Sequence, residues 1–269
     1  MHDKRYHQLS GEVGFLAPLL MIVLGVIAAV ILSLIYNYLI YHLPFVYFNF
    51  LLTVSYGGLI GWLVGYLGQL GKLRNGKVYL LIGLLVGLFA EYVSLVSWIF
   101  VMSKHHNLIF SIFGIFNFAK EVAIFGSWSI FGFTFKGTLL YMVWLVEALI
   151  IVGLTSFVSV ECSKLYPFCE KCKRWFKNKI TISGLEIPNN VDNFKEALEG
   201  GHFSSLLNLG KSKSEADYLQ IVLPHCPACG DKHYLSVDIF SNKKKSKEVI
   251  RHLIIDGSIF HRIQDLGKR

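Results

Sequence analysis

The chain has 269 residues, of which 54% are hydrophobic and 16% charged, and its mean hydropathy is +0.51. A soluble domain is usually about 45–50% apolar and about 25% charged. This composition excludes disordered chains, collagen and disulfide-stapled mini-proteins, and it argues against a single soluble core. Residues 1–160 hold 8 of the 26 lysines and arginines and 5 of the 18 acids, and residues 161–269 hold the other 18 and 13. The sequence therefore predicts a membrane domain over 1–160 and a water-soluble domain over 161–269.

Four stretches of the first half are long enough to cross a bilayer as helices, which takes about 20 apolar residues. They are predicted at residues 15–35, 44–70, 78–102 and 139–160. The first is interpreted as a retained anchor, because its apolar run is longer than the apolar region of a cleaved signal peptide, which has about 7–15 residues. The predicted fold class is an α-helical membrane protein with a four-helix transmembrane bundle.

Lysines and arginines in the short loops predict the orientation, because they are enriched on the cytoplasmic side. The N-terminal tail, the 71–77 loop and the segment after the fourth span are basic, whereas the turn at 42–43 has neither lysine nor arginine. We therefore expect both termini to be cytoplasmic and the 103–138 loop to be external. Three lysines in that loop weaken the contrast without reversing it.

The 103–138 loop is rich in aromatic side chains, among them Trp128 and Phe131. Its apolar run at 108–118 is too short to span a bilayer. We expect an interfacial lid that seals the bundle, as aromatic residues favour the headgroup level. The alternative is a re-entrant segment that lines a pore or covers a ligand.

Glycines recur every four residues in the second and third spans. They are Gly57, Gly61 and Gly65 in the second span, and Gly83 and Gly87 in the third. Small residues let helix backbones approach closely in lipid. We predict an antiparallel hairpin in which the two glycine stripes face each other, or else a homo-oligomer that uses these stripes as its seam.

Two acids lie inside the spans, Glu91 in the third and Glu147 in the fourth. Charges in a membrane are costly and mark functional sites. Because no lysine or arginine lies inside a span, we expect at least one of the two carboxyls to be protonated. Glu91 continues the glycine stripe, so Ser55 and Tyr56 of the second span are its expected hydrogen-bond donors. The two acids either join helices by hydrogen bonds or bind protons or cations.

Four of the five cysteines form two C-x₂-C pairs, Cys169 with Cys172 and Cys226 with Cys229. Two such knuckles complete the closed tetrahedral Cys₄ geometry of structural zinc. Cytoplasmic thiols stay reduced, which favours a metal over disulfides. The sequence therefore predicts one structural Zn²⁺, with a redox dithiol or four buried unpaired cysteines as alternatives. His225 and His233 flank the second knuckle as possible substitute ligands.

The segment between the two pairs is longer than in compact zinc motifs, so an inserted subdomain is predicted over 173–225. The predicted elements of the soluble half are an extended stretch at 180–188, a helix at 191–199 capped by Asn190, a short helix at 202–209, strands at 218–223 and 232–240, and an extended or helical stretch at 248–255. Strands that leave a knuckle are typical of a zinc ribbon. The second domain is therefore expected to be a small α+β, zinc-ribbon-like domain.

A group of cations that we call the juxtamembrane basic cluster follows the last span. It comprises Lys164, Lys171, Lys173, Arg174 and Lys177. Anionic lipid attracts each cation near a membrane surface by about 1 kcal/mol. We therefore predict contact with anionic lipid headgroups first and with a cytosolic protein partner second, and we place nucleic acid last.

Several motifs occur together in this chain. They are G-K-L-R-N at 71–75, E-Y at 91–92 with Trp98, W-L-V-E-A at 144–148, F-C-E-K-C at 168–172 with Trp175, and C-P-A-C at 226–229. The arrangement resembles a family of uncharacterised bacterial membrane proteins with four transmembrane helices and a cytoplasmic zinc-ribbon tail. The resemblance covers nearly the whole chain and implies a bacterial inner-membrane location. It implies no activity.

The sequence contains no recognised catalytic motif, whether a Walker loop, a G-x-S-x-G elbow, an H-E-x-x-H pair or a dinucleotide-binding turn. An enzyme is therefore not expected. The first functional hypothesis is a membrane-anchored interaction or regulatory protein with a structural zinc tail. The alternative is a small channel, or a proton- or cation-linked transporter subunit, that uses Glu91 and Glu147.

Overall fold

The computed structural model describes residues 5–43, 46–126, 129–130, 133–212, 214–230, 232–242 and 244–267. The chain divides into two compact units. One unit is the helical part from Gly11 to Leu165. The other combines the N-terminal residues up to Ser10 with the residues from Tyr166 onward. The predicted membrane domain, residues 1–160, includes the N-terminal tail. In the structure the tail up to Ser10 belongs instead to the second unit.

The helical unit contains four helices that are long and apolar enough to cross a membrane, within the residues described. They are α1 (Leu16–His42), α2 (Val46–Leu70), α3 (Gly76–Met102) and α5 (Thr138–Ser163). The fold class predicted for this half is confirmed. The first helix continues seven residues beyond its predicted end at 35, because its polar residues near that end are buried against other helices. Pro44, the predicted start of the second span, lies outside the described part of the chain.

The four long helices pack in the cyclic order α1, α2, α5, α3. Both α1 and α5 pack against α2 and α3, whereas α2 and α3 meet each other over a small area. The glycine stripes of α2 and α3 both lie against α5: Gly61 faces the backbone of Thr155, and Gly83 faces Ser156. The prediction that the two stripes face each other in a hairpin is therefore wrong. A second copy of the chain could use them only by displacing α5.

The 103–138 loop folds into a helix, α4 (Ile112–Phe125), and two short paired strands, β1 (Ser129–Ile130) and β2 (Phe133–Thr134). The α4 helix has 14 residues, fewer than the roughly 20 that a span needs. It buries Ile115 and Ala123 and exposes Phe113 and Phe116. The interfacial lid and the re-entrant segment therefore both stay predictions. Trp128 and Phe131 are not among the residues that the structure describes.

The second unit begins with a short hairpin, β3 (Phe168–Cys169) and β4 (Arg174–Trp175), that forms the first knuckle. A four-stranded antiparallel sheet then follows in the order β5, β6, β7, β8. Its strands are β5 (Lys179–Leu185), β6 (Tyr218–Pro224), β7 (His233–Ser241) and β8 (Lys244–Ile255). The helices are α6 (Val191–Glu199), α7 (Ser204–Leu207) and α8 (Gly257–Leu266). The small antiparallel domain predicted for this half is therefore confirmed.

One apolar core holds the sheet and its helices together. Alternate residues of β6 are buried in the same core as Phe194 and Leu198 of α6 and Phe260 of α8. The start of α6 lies where the sequence predicts it, because the Asn190 side chain accepts a hydrogen bond from Asn193 N at 3.0 Å. The 173–225 segment is not a separate subdomain, since its strands β5 and β6 belong to the same sheet as β7 and β8.

The N-terminal tail adds a short strand-like segment to the free edge of β8. Ile254 N donates to Arg5 O at 2.7 Å, and His7 N donates to His252 O at 3.0 Å. Between them, Tyr6 pairs with Leu253. The sequence analysis missed this pairing because three residues far from their partner strand carry no local pattern of their own.

Candidate metal centre and intramembrane cavity

The four cysteines of the two C-x₂-C pairs come together in the second unit. All four Sγ atoms lie within 4.8 Å of one another, and Cys169 Sγ is 3.6 Å from Cys229 Sγ. Cys169 and Cys226 are buried. The four cysteines are close enough to hold one metal ion between them, as the spacing of the pairs predicts.

Local backbone geometry presents the thiols of each knuckle on one side. In the first knuckle, Cys172 N lies 3.4 Å from Cys169 Sγ and donates to it, and the β3–β4 pairing closes the turn. In the second, Gly230 N donates to Cys226 O at 3.2 Å, and Gly230 has a φ of +57°. Glycine adopts this left-handed conformation without steric cost. The knuckle glycine is therefore required by the turn.

The donor set fits a tetrahedral metal ion. Thiolates bound at about 2.3 Å around a tetrahedral centre lie about 3.8 Å apart, close to the separation of Cys169 and Cys229. Hydrogen bonding with Cys229 raises the pKa of the Cys172 thiol to about 12. Four neighbouring thiols therefore ionise together only when a cation balances their charge. The ring of His233 stacks on Phe260 at 4.1 Å, and neither His233 nor His225 is part of the four-ligand group.

Aromatic residues connect the metal centre with the N-terminal tail. Phe176 and Tyr234 pack on the cysteines, with ring centroids 5.2 Å apart. The Tyr234 hydroxyl lies 3.2 Å from His7 Nδ1. Burial lowers the pKa of His7 and that of His252 to about 4. Both imidazoles are therefore neutral around pH 7, and the contact of His7 with Tyr234 brings no imidazolium charge beside the cysteines.

The helical unit contains a cavity of about 360 Å³. Its wall includes both Glu91 and Glu147, so the structure brings the two membrane acids together. Glu91 is 11 residues before Met102 and Glu147 is 9 residues after Thr138. At about 1.5 Å per residue, these positions lie about 16 and about 14 Å from the same end of the bundle. The two acids thus share a depth.

A hydroxyl network holds Glu147. Tyr36 Oη contacts Glu147 Oε1 and lies 2.8 Å from Thr53 Oγ1, and the Thr53 hydroxyl donates to Asn49 O at 2.9 Å. These three contacts share only two hydroxyl protons. Tyr36 donates to Glu147 and Thr53 donates to Asn49 O, so the contact between the two hydroxyls has no proton of its own. A protonated Glu147 carboxyl would supply one, and its protonation stays a prediction.

Glu91 has different surroundings from those predicted. Tyr56 donates its hydroxyl proton to Ala90 O at 3.0 Å instead of to Glu91, and Ser55 is exposed and outside the cavity wall. Both predicted donors are therefore wrong. Glu91 Oε2 is a buried acceptor without a hydrogen-bond partner.

Neutral polar residues complete the cavity wall. The Asn37 amide donates to Ser33 O at 2.9 Å and to Ser94 O at 3.1 Å, and Asn49 Oδ1 is a second buried acceptor without a partner. The intramembrane charges of the sequence do not reveal these amides. Asparagine inside an apolar stretch is the signal that could have identified them, since it is costly in lipid unless it faces protein or a cavity.

The juxtamembrane basic cluster is solvent-exposed. In the helical unit, Lys164 pairs with Glu161 at 2.6 Å. In the second unit, Lys173 pairs with Glu170 at 3.3 Å, and Lys171 and Lys177 are exposed. Surface pairs of this kind contribute little stability, so the cations remain available to an anionic surface.

The comparisons with protein-family models, with curated proteins and with solved structures found no match to this chain. The resemblance to the bacterial zinc-ribbon membrane family therefore stays a prediction. Function is argued below from the geometry of the metal centre and the cavity.

Proposed function

We propose that the protein is a membrane-anchored interaction or regulatory protein whose second unit is held together by one structural Zn²⁺. The observation that carries this proposal is the closed group of four cysteine sulfurs. Zinc in such a site cross-links the two knuckles and contributes folding energy directly. Four protein ligands leave no position for a substrate, which favours binding over catalysis.

Both termini are proposed to lie in the cytoplasm of a bacterium, with the helices in its inner membrane. The tail residues 5–7 pair with β8, so the N-terminus and the second unit are on the same side, as an even number of spans requires. The basic loops favour the cytoplasmic side. Fusions of alkaline phosphatase after residue 269 and within the 103–138 loop test the orientation. Activity only in the loop fusion is expected, and the reverse pattern would reject the proposal.

Two cysteine variants test the proposed interaction with a partner. We expect in-cell cross-linking of the full chain to yield partner adducts that disappear in Cys226→Ser, because loss of a ligand releases the zinc. The matched control is Cys162→Ser, a cysteine buried against Gly65 in the helical unit and absent from the metal group. Adducts that survive Cys226→Ser while its zinc is lost would contradict the role proposed for the metal-bound unit.

A second candidate function is favoured by the cavity. We infer a channel or transporter subunit that moves protons or cations, because Glu91 and Glu147 line one space inside the helical unit. Flux into liposomes should fall in Glu91→Gln and in Glu147→Gln while the protein remains folded. Glu161→Gln, at the exposed end of α5, should leave flux unchanged. Absence of flux from the unaltered protein would reject this candidate.

A further inference from the structure

The cavity of the helical unit has an aromatic and apolar side. Trp98 and Trp144 both line it, with ring centroids 5.4 Å apart, and Phe50 and Leu95 extend the apolar wall. Its volume of about 360 Å³ is within the range of roughly 300–1,000 Å³ for small-molecule sites. The space therefore suits an organic molecule with an apolar body.

The polar side of the same cavity has hydrogen-bond acceptors that receive no hydrogen bond from the protein. Glu91 Oε2 and Asn49 Oδ1 are both buried and unpartnered, and both residues line the cavity. Leaving buried acceptors unpaired is costly. The Asn37 amide, one of the donors of this wall, is already bonded to Ser33 and Ser94. A ligand that fits must therefore bring N–H or O–H groups of its own.

The charge of the wall defines the charge of the ligand. None of the lining residues that the structure describes is lysine or arginine, and two are glutamates. One of them, Glu147, accepts a hydrogen bond from the Tyr36 hydroxyl, which also contacts Thr53. Glu91 Oε2 has no such donor, and a cation bound beside it would favour the ionised carboxylate. The wall thus complements one positive charge and repels anions.

A bare metal ion fits this site less well than an organic cation. Among the described residues, no group of three or more His, Cys, Asp or Glu side chains converges there as it does at the four cysteines. A cavity of this volume also exceeds the space of a single ion. Trp98 and Trp144 instead give this wall an apolar surface against which the body of an organic cation can pack.

We propose that this cavity binds a protonated primary amine with an apolar or aromatic body. Its ammonium group donates to Glu91 Oε2 and Asn49 Oδ1, and its body lies against Trp98 and Trp144. The inference deepens the second candidate function by naming a ligand class, but it requires binding only. It does not require movement across the membrane.

Calorimetry on the full chain in nanodiscs of zwitterionic lipid tests the proposal with three probes of similar size. We expect 2-phenylethylamine to bind, and 2-phenylethanol, which lacks the charge, to bind at least about tenfold more weakly. The N,N,N-trimethyl derivative keeps the charge but has no N–H, and it should also bind more weakly. Equal binding of amine and alcohol would overturn the proposal, as would equal binding of the amine and its trimethyl derivative.

Substitutions locate the site. Glu91→Gln should weaken amine binding by about 10- to 100-fold, whereas the matched control Glu161→Gln should leave it unchanged. If Glu91→Gln does not fold, Asn49→Leu replaces it and should weaken the amine more than the alcohol. Unchanged amine affinity in a folded Glu91 or Asn49 variant would overturn the assignment.

The measurements distinguish failure of the amine site from failure of the transporter candidate. Amine binding without flux in liposomes keeps this inference and rejects the transporter candidate. Proton or metal-ion flux that depends on Glu91, with no amine binding, supports the transporter candidate and rejects the amine site.

Discussion

The substitution Gly61→Ala tests the packing of α2 on α5. A Cβ atom at residue 61 would lie 2.7 Å from Thr155 O and 2.9 Å from Thr155 Cα. Both are backbone atoms, so no side-chain rotation relieves the overlap. The helices would have to separate by several tenths of an ångström to reach an ordinary contact of 3.4 Å or more.

The free-energy cost follows from this separation. Overpacking a close contact costs about 1–3 kcal/mol. Moving the helices apart also weakens the hydrogen bond from Thr155 Oγ1 to Gly57 O, now 3.1 Å long, and such bonds contribute about 0.6 kcal/mol in membranes. Alanine's higher helix propensity offsets up to about 1 kcal/mol. We expect a net loss of about 1–2 kcal/mol.

Unfolding of the full chain in mixed micelles by a titration with sodium dodecyl sulfate, followed by circular dichroism, measures this loss. Gly58→Ala is the matched control, because nothing lies within 4 Å of a Cβ at that position. It should leave stability unchanged or raise it. Equal stability of the two variants would refute the packing of Gly61 against α5. A changed oligomeric state in Gly61→Ala alone would show that the stripe meets a second copy.

Three further predictions concern the second unit. Purified full-length protein should contain one zinc per chain by elemental analysis, and Cys226→Ala should lose the metal and expose the unit to proteolysis. Burial holds the pKa of His7 and His252 at about 4 against about 6.5 when unfolded. The unfolded state therefore binds more protons between these values, so stability should fall as pH drops from 6.5 to 4. Thermal unfolding should show a shallower fall in His252→Leu. The double change Lys171→Glu with Lys177→Glu should reduce retained phosphatidylglycerol in native mass spectrometry, at about 1 kcal/mol per cation.

The spans were predictable because the length of an apolar run is a one-dimensional signal. Their ends were less so: α1 extends to His42 through Tyr36 and Asn37, which look too polar for a membrane. In the folded chain Asn37 is satisfied by Ser33 and Ser94. A polar residue ends a predicted span only when no neighbouring helix supplies its partners, and a linear pattern does not contain that information.

The sequence also indicated which helix faces pack closely, but not which helix covers them. Gly57, Gly61 and Gly65 mark one face of α2 whatever lies opposite. The short α2–α3 turn suggested that α3 was the neighbour, yet α5 occupies both glycine faces. A stripe of small residues lowers the cost of any close approach. The partner is decided by the fit of whole surfaces, here by the small residues Thr155, Ser156 and Ser159 of α5.

In the cavity, too, the sequence predicts the two acids but not their hydrogen-bond partners. Glu91 and Glu147 stood out because charges in lipid are costly, and their depth could be calculated from helix geometry. The roles of the two acids differ because of neutral neighbours: Tyr36, which also contacts Thr53, donates to Glu147, whereas Glu91 Oε2 has no hydrogen-bond partner. Two carboxyls of similar depth thus become one hydrogen-bonded group and one acceptor beside an aromatic wall. A bound cation would favour the ionised form of Glu91, and this one unpaired carboxyl oxygen is the reason that we propose a monovalent organic cation, rather than a divalent metal, as the ligand.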